Sequence, residues 1–282
     1  MDTPAPHLVS SGRIDPTVAS IAGVYDAMLD GKDHFEIEDR VRDALLAESS
    51  EMKTIARDNR EWLIRVTRYL AREIGIDQFL DCGCGLPAAE NTHEAARRVR
   101  PGVRVYYVDN DPVVAARGRA LLEEKDLASL VQEDLTQPDR VIAAAVGEGL
   151  DMTRPLALLQ VSTLQHVDDS ADPVAIMRRY IDRLPSGSYV AISHFFDPED
   201  NGPLSASARR LQDIMVSGPM GSGYFRTRDQ IAAMLDGLEI VQPGPNMPRE
   251  LSLLPDWWQD GPRVDELLPV QKLLVGALAR KP

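Results

Sequence analysis

Residues 79–87 read Phe-Leu-Asp-Cys-Gly-Cys-Gly-Leu-Pro, an apolar run that closes on an aspartate and then on two glycines two positions apart. A Gly75-Ile76-Asp77 break precedes it, so Phe79 to Asp81 read as the end of a buried strand and the glycines fall where the chain must turn. Glycine there tolerates positive φ and lets the backbone approach a ligand closely. Pro87 sets φ for a first helical position, and the run AAENTHEAARRV after it has helical composition. The stretch therefore predicts a strand, a tight turn and a helix.

From residue 76 to residue 196 apolar runs alternate with helical segments, the pattern of βα units and a parallel sheet. Strands are expected at 78–82, 103–109, 129–134, 156–162 and 188–196, with two more near 238–244 and 272–280, seven in all. Three units follow. Residues 1–15, rich in Pro and Ser, are expected to be mobile; 16–74 form an N-terminal helical cap; 75–282 carry the ligand-binding sheet. A non-sheet insertion near 198–226 ends in GPMGSGYF and is of the kind that covers a ligand site. At 282 residues and 44% hydrophobic, the chain can bury a full core.

A net charge of -13 argues against a phosphate-tracking nucleic-acid binder. The chain shows no run of about eighteen uncharged apolar residues, and MDTPAPHLVSSGR lacks the apolar core of a signal peptide, so a cytoplasmic protein without membrane spans is expected. Cys82 and Cys84 sit too close for an unstrained bridge and read as small apolar fillers. The histidines at 7, 34, 93, 166 and 194 have no ligand spacing, and no metal is expected.

Gly83-Cys84-Gly85-Leu86-Pro87-Ala88 satisfies G-x-G-x-x-G/A, so a dinucleotide is the first ligand to weigh, with Asp109 placed to bind a ribose diol. Asp81, just before the first glycine, speaks against it: a carboxylate disfavours a pyrophosphate and suits a ligand with positive charge. S-adenosylmethionine carries a sulfonium, an ammonium and an adenosine whose ribose asks for an acceptor like Asp109. Glu133-Asp134-Leu135 at the next strand end offers an acceptor for an adenine amino group beside a backbone N–H. Carboxylates at three consecutive strand ends are more specific than two glycines.

The run from FLDCGCGLP through YYVDNDP, QEDL and LQVSTLQHV to SYVAISHFF resembles the class I S-adenosylmethionine-dependent methyltransferases. GLPAAENTHEAARRV with YYVDNDPVV, YDAMLDGKDHF and RDNREWLIRV is similar to a bacterial branch of them with no defined acceptor. The resemblance implies a Rossmann-like α/β fold, with a seven-stranded, mostly parallel sheet, an antiparallel last strand and S-adenosylmethionine across the carboxyl ends of the first strands. It also implies roles: Asp81, Gly83, Cys84 and Gly85 around the methionine end, Asp109 at the ribose, Asn110 near the adenine, Asp134 with Leu135 at the adenine edge, and Ser162 beside the methionine moiety. Pro87 stands where many relatives have a third glycine, and Asp30 and His34 where the closer branch has Gly and Asn.

In-line displacement on an activated methyl asks the protein mainly to align an acceptor and exclude water. The expected acceptor is a small molecule. Should its atom need to lose a proton, Tyr25, His166 and His194 are the candidate bases, each with a packing role as the plainer reading. Trp257-Trp258 reads as an anchor for a long connection rather than an aromatic clamp. The alternatives are a non-catalytic S-adenosylmethionine-binding regulator and an NAD-dependent oxidoreductase.

Overall fold

The computed structural model describes Asp15 and residues 17–122, 127–257 and 266–282. The segment expected to be mobile, 1–15, lies outside the described residues apart from Asp15, and so does Trp258.

Five parallel strands lead the sheet: β1 (Gln78–Cys82), β2 (Arg104–Asp109), β3 (Ala128–Gln132), β4 (Ala157–Val161) and β5 (Tyr189–Phe195). The last long strand, β8 (Leu274–Arg280), runs antiparallel to β5 in a register from Tyr189↔Arg280 to Phe195↔Leu274. Outside it lie two short strands, β6 (Glu239–Ile240) and β7 (Ser252–Leu253), giving the order β3-β2-β1-β4-β5-β8-β6 with β7 also on β8. The described sheet thus has eight strands where seven were expected. The run at 238–244 is cut to two residues because Pro243, Pro245 and Pro248 have no N–H to donate to a ladder, and β8 gains its remaining edge partner from β7.

Along the strands side chains alternate between two layers. Phe79, Val105, Tyr107, Ala157 and Leu159 face a cluster shared with α1 (Ile21–Met28), α2 (Glu36–Glu48), α3 (Met52–Tyr69) and, after α4 (Thr92–Arg97), α5 (Pro112–Leu121), α6 (Pro138–Gly147) and α7 (Pro173–Arg183), α8 (Pro203–Ser217). Leu80, Tyr106, Val108 and Leu158 face α6 (Pro138–Gly147), α7 (Pro173–Arg183) and α9 (Arg228–Ala233). The cap helices are therefore continuous with the core of the sheet. The insertion near 198–226 is largely α8, and only 218–226 is the expected glycine-rich loop. Among the described residues no helix is long and apolar enough to cross a membrane.

The helix after β1 begins later than its composition suggests. α4 (Thr92–Arg97) starts at an Asn91 cap whose N–H donates to Glu94 Oε2 at 2.7 Å, so Pro87 to Glu90 are an irregular bridge and Pro87 is not a first helical residue. Asn-x-x-Glu is a capping box, a signal stronger than the helical composition before it.

α3 is pinned to the segment after β7 by aromatic packing. Trp62 is fully buried, and its ring meets Trp257 edge-on at 6.3 Å, with Tyr69 against the same Trp257 at 5.6 Å. Among the described residues neither indole N–H has a hydrogen-bond partner, so the contribution is packing and burial. Trp62→Ala is expected to cost about 3–5 kcal/mol in chemical denaturation and Trp62→Phe less than half of that. Equal costs for the two would mean the indole does more than fill space.

Candidate functional site

β1 and β4 are neighbours, yet the chain leaves β1 for β2 and β3 before returning to β4. At such a reversal the connections diverge and leave a crevice at the strands' carboxyl ends. A cavity of ≈ 1460 Å³ opens there, lined by Asp81, Gly83, Cys84, Gly85, Asp109, Asn110, Asp134, Leu135 and Ser162, and roofed by α1 and α2 of the cap. Ordinary small-ligand pockets hold roughly 300–1,000 Å³, so this one has room for a cofactor-sized ligand and a second molecule.

The floor is the glycine turn. Gly83 and Gly85 both have positive φ, 71° and 67°, and a Cβ on Gly83 would collide with the Thr163 methyl. Val108 O accepts from Gly83 N–H at 2.7 Å and Cys84 N–H at 3.1 Å, while Asp109 Oδ2 accepts from Gly85 N–H at 2.9 Å and Oδ1 from Asp111 N–H at 3.0 Å. The turn is thus tied to β2 by two carbonyl bonds and one carboxylate. Burial pushes the Asp109 carboxyl up to about 6 against those N–H donors. Asp81 behaves alike: burial raises it to about 6, opposed by the Thr92 hydroxyl, which donates to Oδ2 at 2.6 Å, and by the charge of Arg60. Both thiols are pushed up by burial, Cys84 well up, so each stays neutral beside these acids.

Asp134 lies two residues beyond β3, in a turn where its Oδ1 accepts from Thr136 N–H at 2.8 Å. It is a turn former and a cavity residue at once. Leu135 gives its carbonyl to the Tyr180 hydroxyl at 2.8 Å, and its own N–H has no intramolecular acceptor among the described residues. Asn110 is exposed at the rim. Ser162 is held at φ 56°, a left-handed conformation costly for a side-chain-bearing residue, by Ser162 N–H to Ser193 O at 3.1 Å and by the two hydroxyls at 3.2 Å. From there a polar chain runs upward: Ser193 Oγ donates to Asn59 Oδ1 at 2.6 Å, and Asn59 Nδ2 donates to the Tyr25 hydroxyl at 3.1 Å.

Of the candidate bases, Tyr25 and His166 line the cavity and His194 does not. His194 is a core residue: Arg226 donates to its Nε2 at 2.8 Å, Nδ1–H faces Phe195 O at 2.7 Å, and burial with the Arg226 charge lowers its pKa to about 3. Tyr25 donates its hydroxyl proton to Ala56 O at 3.1 Å, and burial raises its pKa, so it is a neutral positioning group. His166 sits with Nδ1 3.0 Å from Ser222 Oγ and its ring edge-on to Phe195.

The roof is organised by two acids that the sequence reading passed over, Glu38, which is buried, and Asp26, which is partly buried. Glu38 accepts from Ser20 N–H at 2.9 Å and Phe35 N–H at 2.8 Å, joining the starts of α1 and α2. Asp26 accepts from Asp33 N–H at 2.9 Å and faces His34 Nδ1 at 2.7 Å, with Asp39 3.0 Å from Nε2. Burial opposes charge on that ring, but the Asp26 hydrogen bond and the two carboxylate charges raise the His34 pKa. Asp33 then reaches Arg117 on α5 (Pro112–Leu121), across the mouth of the cavity. Arg60 was also missed. It donates to the Glu90 carbonyl and sets a positive charge beside Asp81, yet it is one of several arginines on α3 and nothing in its spacing separates it from Arg57 or Arg68.

A buried carboxylate pair held near neutrality, an unpaired backbone N–H and a cradle that admits no Cβ fit a cationic nucleoside. Comparison with known proteins agrees. The chain belongs to the S-adenosyl methyltransferase family, whose model matches residues 8–282. The crystal structure of a protein from Thermobifida fusca YX described as a candidate methyltransferase is 33% identical, covers 95% of this chain and 96% of its own, and superposes with a TM-score of 0.85. A DUF574 family protein from Streptomyces avermitilis MA-4680, also 33% identical, covers 96% and 100% with a TM-score of 0.86. The N-methyltransferase NodS from Bradyrhizobium japonicum WM9, in complex with S-adenosyl-L-homocysteine, is 13% identical over 92% of this chain and 99% of its own, TM-score 0.51, and shares the fold. Among curated proteins no sequence matches. The chain is an S-adenosylmethionine-dependent methyltransferase, which sets aside the nicotinamide reading.

The two acids give a pH dependence with a definite sign. Their carboxyls are raised in the folded state, so they favour the apo protein below the ordinary carboxylate range and that contribution is lost as pH rises through about 6. The ammonium and the ribose hydroxyls that S-adenosylhomocysteine shares with the methyl donor ask for ionised acceptors, so its affinity is expected to rise through pH 6 and to fall below it by up to about tenfold per pH unit for each proton displaced. Calorimetry at pH 6 in buffers of different ionisation enthalpy should show proton release. Thr92→Val, which removes the hydroxyl lowering the Asp81 pKa, should move the transition upward; a flat profile from pH 5 to 7.5 would remove both acids from the binding step.

Proposed function

We propose that this methyltransferase holds its cofactor along the carboxyl ends of β1 to β4 and delivers the methyl group to a small-molecule acceptor seated between that site and the cap. The observation that carries the reading is the single cavity in which Asp81, Asp109 and Asp134, from three successive strand ends, meet a space walled by α1, α3 and the 218–226 loop. When bound, the cofactor supplies the activated methyl. The residues of the chain do the rest. Asp81 faces the ammonium and Arg60 the carboxylate of the methionine end; Asp109 keeps a lone pair on each oxygen for the ribose hydroxyls while it holds Gly85; the Leu135 N–H and Asp134 take the adenine edge. Ser162, fixed by Ser193, closes the β4 side. Glu38, Asp26 and the Asp33–Arg117 pair hold the roof down, which keeps water from the reacting carbon.

His166 is the proposed proton acceptor where the attacking atom carries a proton, because its ring lines the cavity while Ser222 at Nδ1 and Phe195 hold its orientation, whereas Tyr25 donates its proton to Ala56 O and His194 lies outside the cavity.

The test compares two acids. Asp109→Ala should weaken S-adenosylhomocysteine binding by about 1.5–3 kcal/mol for each hydrogen bond to the charged group, reduced by partial solvation. Asp139→Ala, on the outer face of α6 where Asp139 pairs with Arg179 and Arg183, should leave it unchanged. Titration of the wild type with S-adenosylhomocysteine and with NAD accompanies it, and equal affinities for the two folded variants would remove Asp109 from the site.

A further inference from the structure

The cavity is larger than the proposed cofactor site, and the part left over has a chemistry of its own. Gln165, Phe195, Met215, Ser222 and Tyr224 line it together. They are fastened to one another: Tyr224 N–H donates to Gln165 O at 2.7 Å, Ser222 Oγ lies 3.0 Å from His166 Nδ1, the His166 ring stands edge-on to Phe195, and Met215 packs against Gly223. From the opposite side the cap contributes Met28 and Met52.

Three features of this space select a ligand. Its walls are methionines and a phenylalanine. Thioether chains adapt to irregular shapes and make favourable contacts with aromatic rings, and Phe195 is held flat by stacking on Phe225 at 4.9 Å and 13°. Its charged neighbours offer nothing to an anion. Arg60 is beside Asp81, Arg40 pairs with Glu36, and His34 lies between Asp26 and Asp39. The carboxylates of Glu38 and Asp168 are taken by backbone N–H groups, and among the described residues the other charged lining groups outside the cofactor positions, Asp15, Asp33, Glu36 and Asp111, are acids. The third feature is Gln165 itself: it is 2% exposed, it lines the cavity, and its Oε1 has no hydrogen-bond partner among the described residues. A buried amide oxygen left unpaired is costly and rare, and here its residue borders a cavity that can hold a partner.

We propose that this space is the acceptor site, that it takes a neutral, flat, largely apolar molecule, and that Gln165 reads a polar group on it other than the one that is methylated. The inference rests on the cofactor site being where the preceding subsection puts it. A primary amide can turn to present either its donor or its acceptor, so a hydroxyl suits it in both senses. A carboxylate or phosphate in the same position meets no cation and loses its hydration.

Calorimetry on the full chain loaded with S-adenosylhomocysteine tests this with three probes of one shape: 2-naphthol, 2,6-dihydroxynaphthalene and 6-hydroxy-2-naphthoate. The dihydroxy compound is expected to bind at least about tenfold more tightly than 2-naphthol, with the carboxylate weakest. Gln165→Met, which keeps the volume and drops the amide, should erase the difference between the first two while S-adenosylhomocysteine binds as before. The proposal is overturned by tightest binding of the carboxylate, by no binding of any probe to the loaded protein, or by a preference that survives Gln165→Met. Loss of S-adenosylhomocysteine binding by the wild type is a different failure, that of the cofactor site.

Discussion

The bond from Gly85 N–H to Asp109 is the constraint on which the site depends. It curls the glycine turn back onto the end of β2, so that the acid facing the cavity and the backbone forming its floor are one unit. Burying that carboxylate beside Asp81 is costly in a chain that already carries net negative charge. The folded protein tolerates it by raising both pKa values, which leaves the pair poised to gain from a cationic partner.

A second tie carries this order into the cap. The chain from Ser162 through Ser193 and Asn59 to Tyr25 crosses from the end of β4 to β5, then to α3 and α1. Ser193, Asn59 and Tyr25 are each donor to one neighbour and acceptor from another, and such networks in a low dielectric hold geometry more firmly than single bonds. The strained backbone at Ser162 is affordable only because its partners are fixed in this way. The roof and the floor are therefore not independent bodies, which agrees with the shared hydrophobic cluster beneath them.

Much of this was legible in the sequence because parallel strands are buried on both faces and read as short apolar runs. QFLDC is β1 residue for residue, and the ends of the four strands after it fall within two residues of expectation. Strand-end acids were legible for a related reason: a charged residue at the end of an apolar run has few places to go except the crevice. Other parts were hidden by tertiary context. β7 is two residues long and has no pattern of its own. The late start of α4 was encoded in Asn91 and Glu94 but outweighed by the alanines before them. His194 alternates correctly for a strand, and only the arrival of Arg226 from a distant loop shows that it is core. Arg60 and Gln165 become special solely through what packs around them.

That no residue in the cavity stands out as a dedicated catalyst follows from the same physics. Where the leaving group is already activated, binding energy is best spent on alignment and on excluding water, and neither needs a reactive side chain. The features that a search for catalysis overlooks, a roof closed by Glu38 and Asp26, a serine held in an unfavourable backbone conformation and a methionine-lined wall, are then the ones that matter. A soft wall fits molecules of more than one outline, so discrimination among acceptors falls to the few polar groups that cannot be satisfied in any other way. In this chain the buried Gln165 Oε1, without a hydrogen-bond partner among the described residues, is such a group, and it stands next to His166, the proposed proton acceptor.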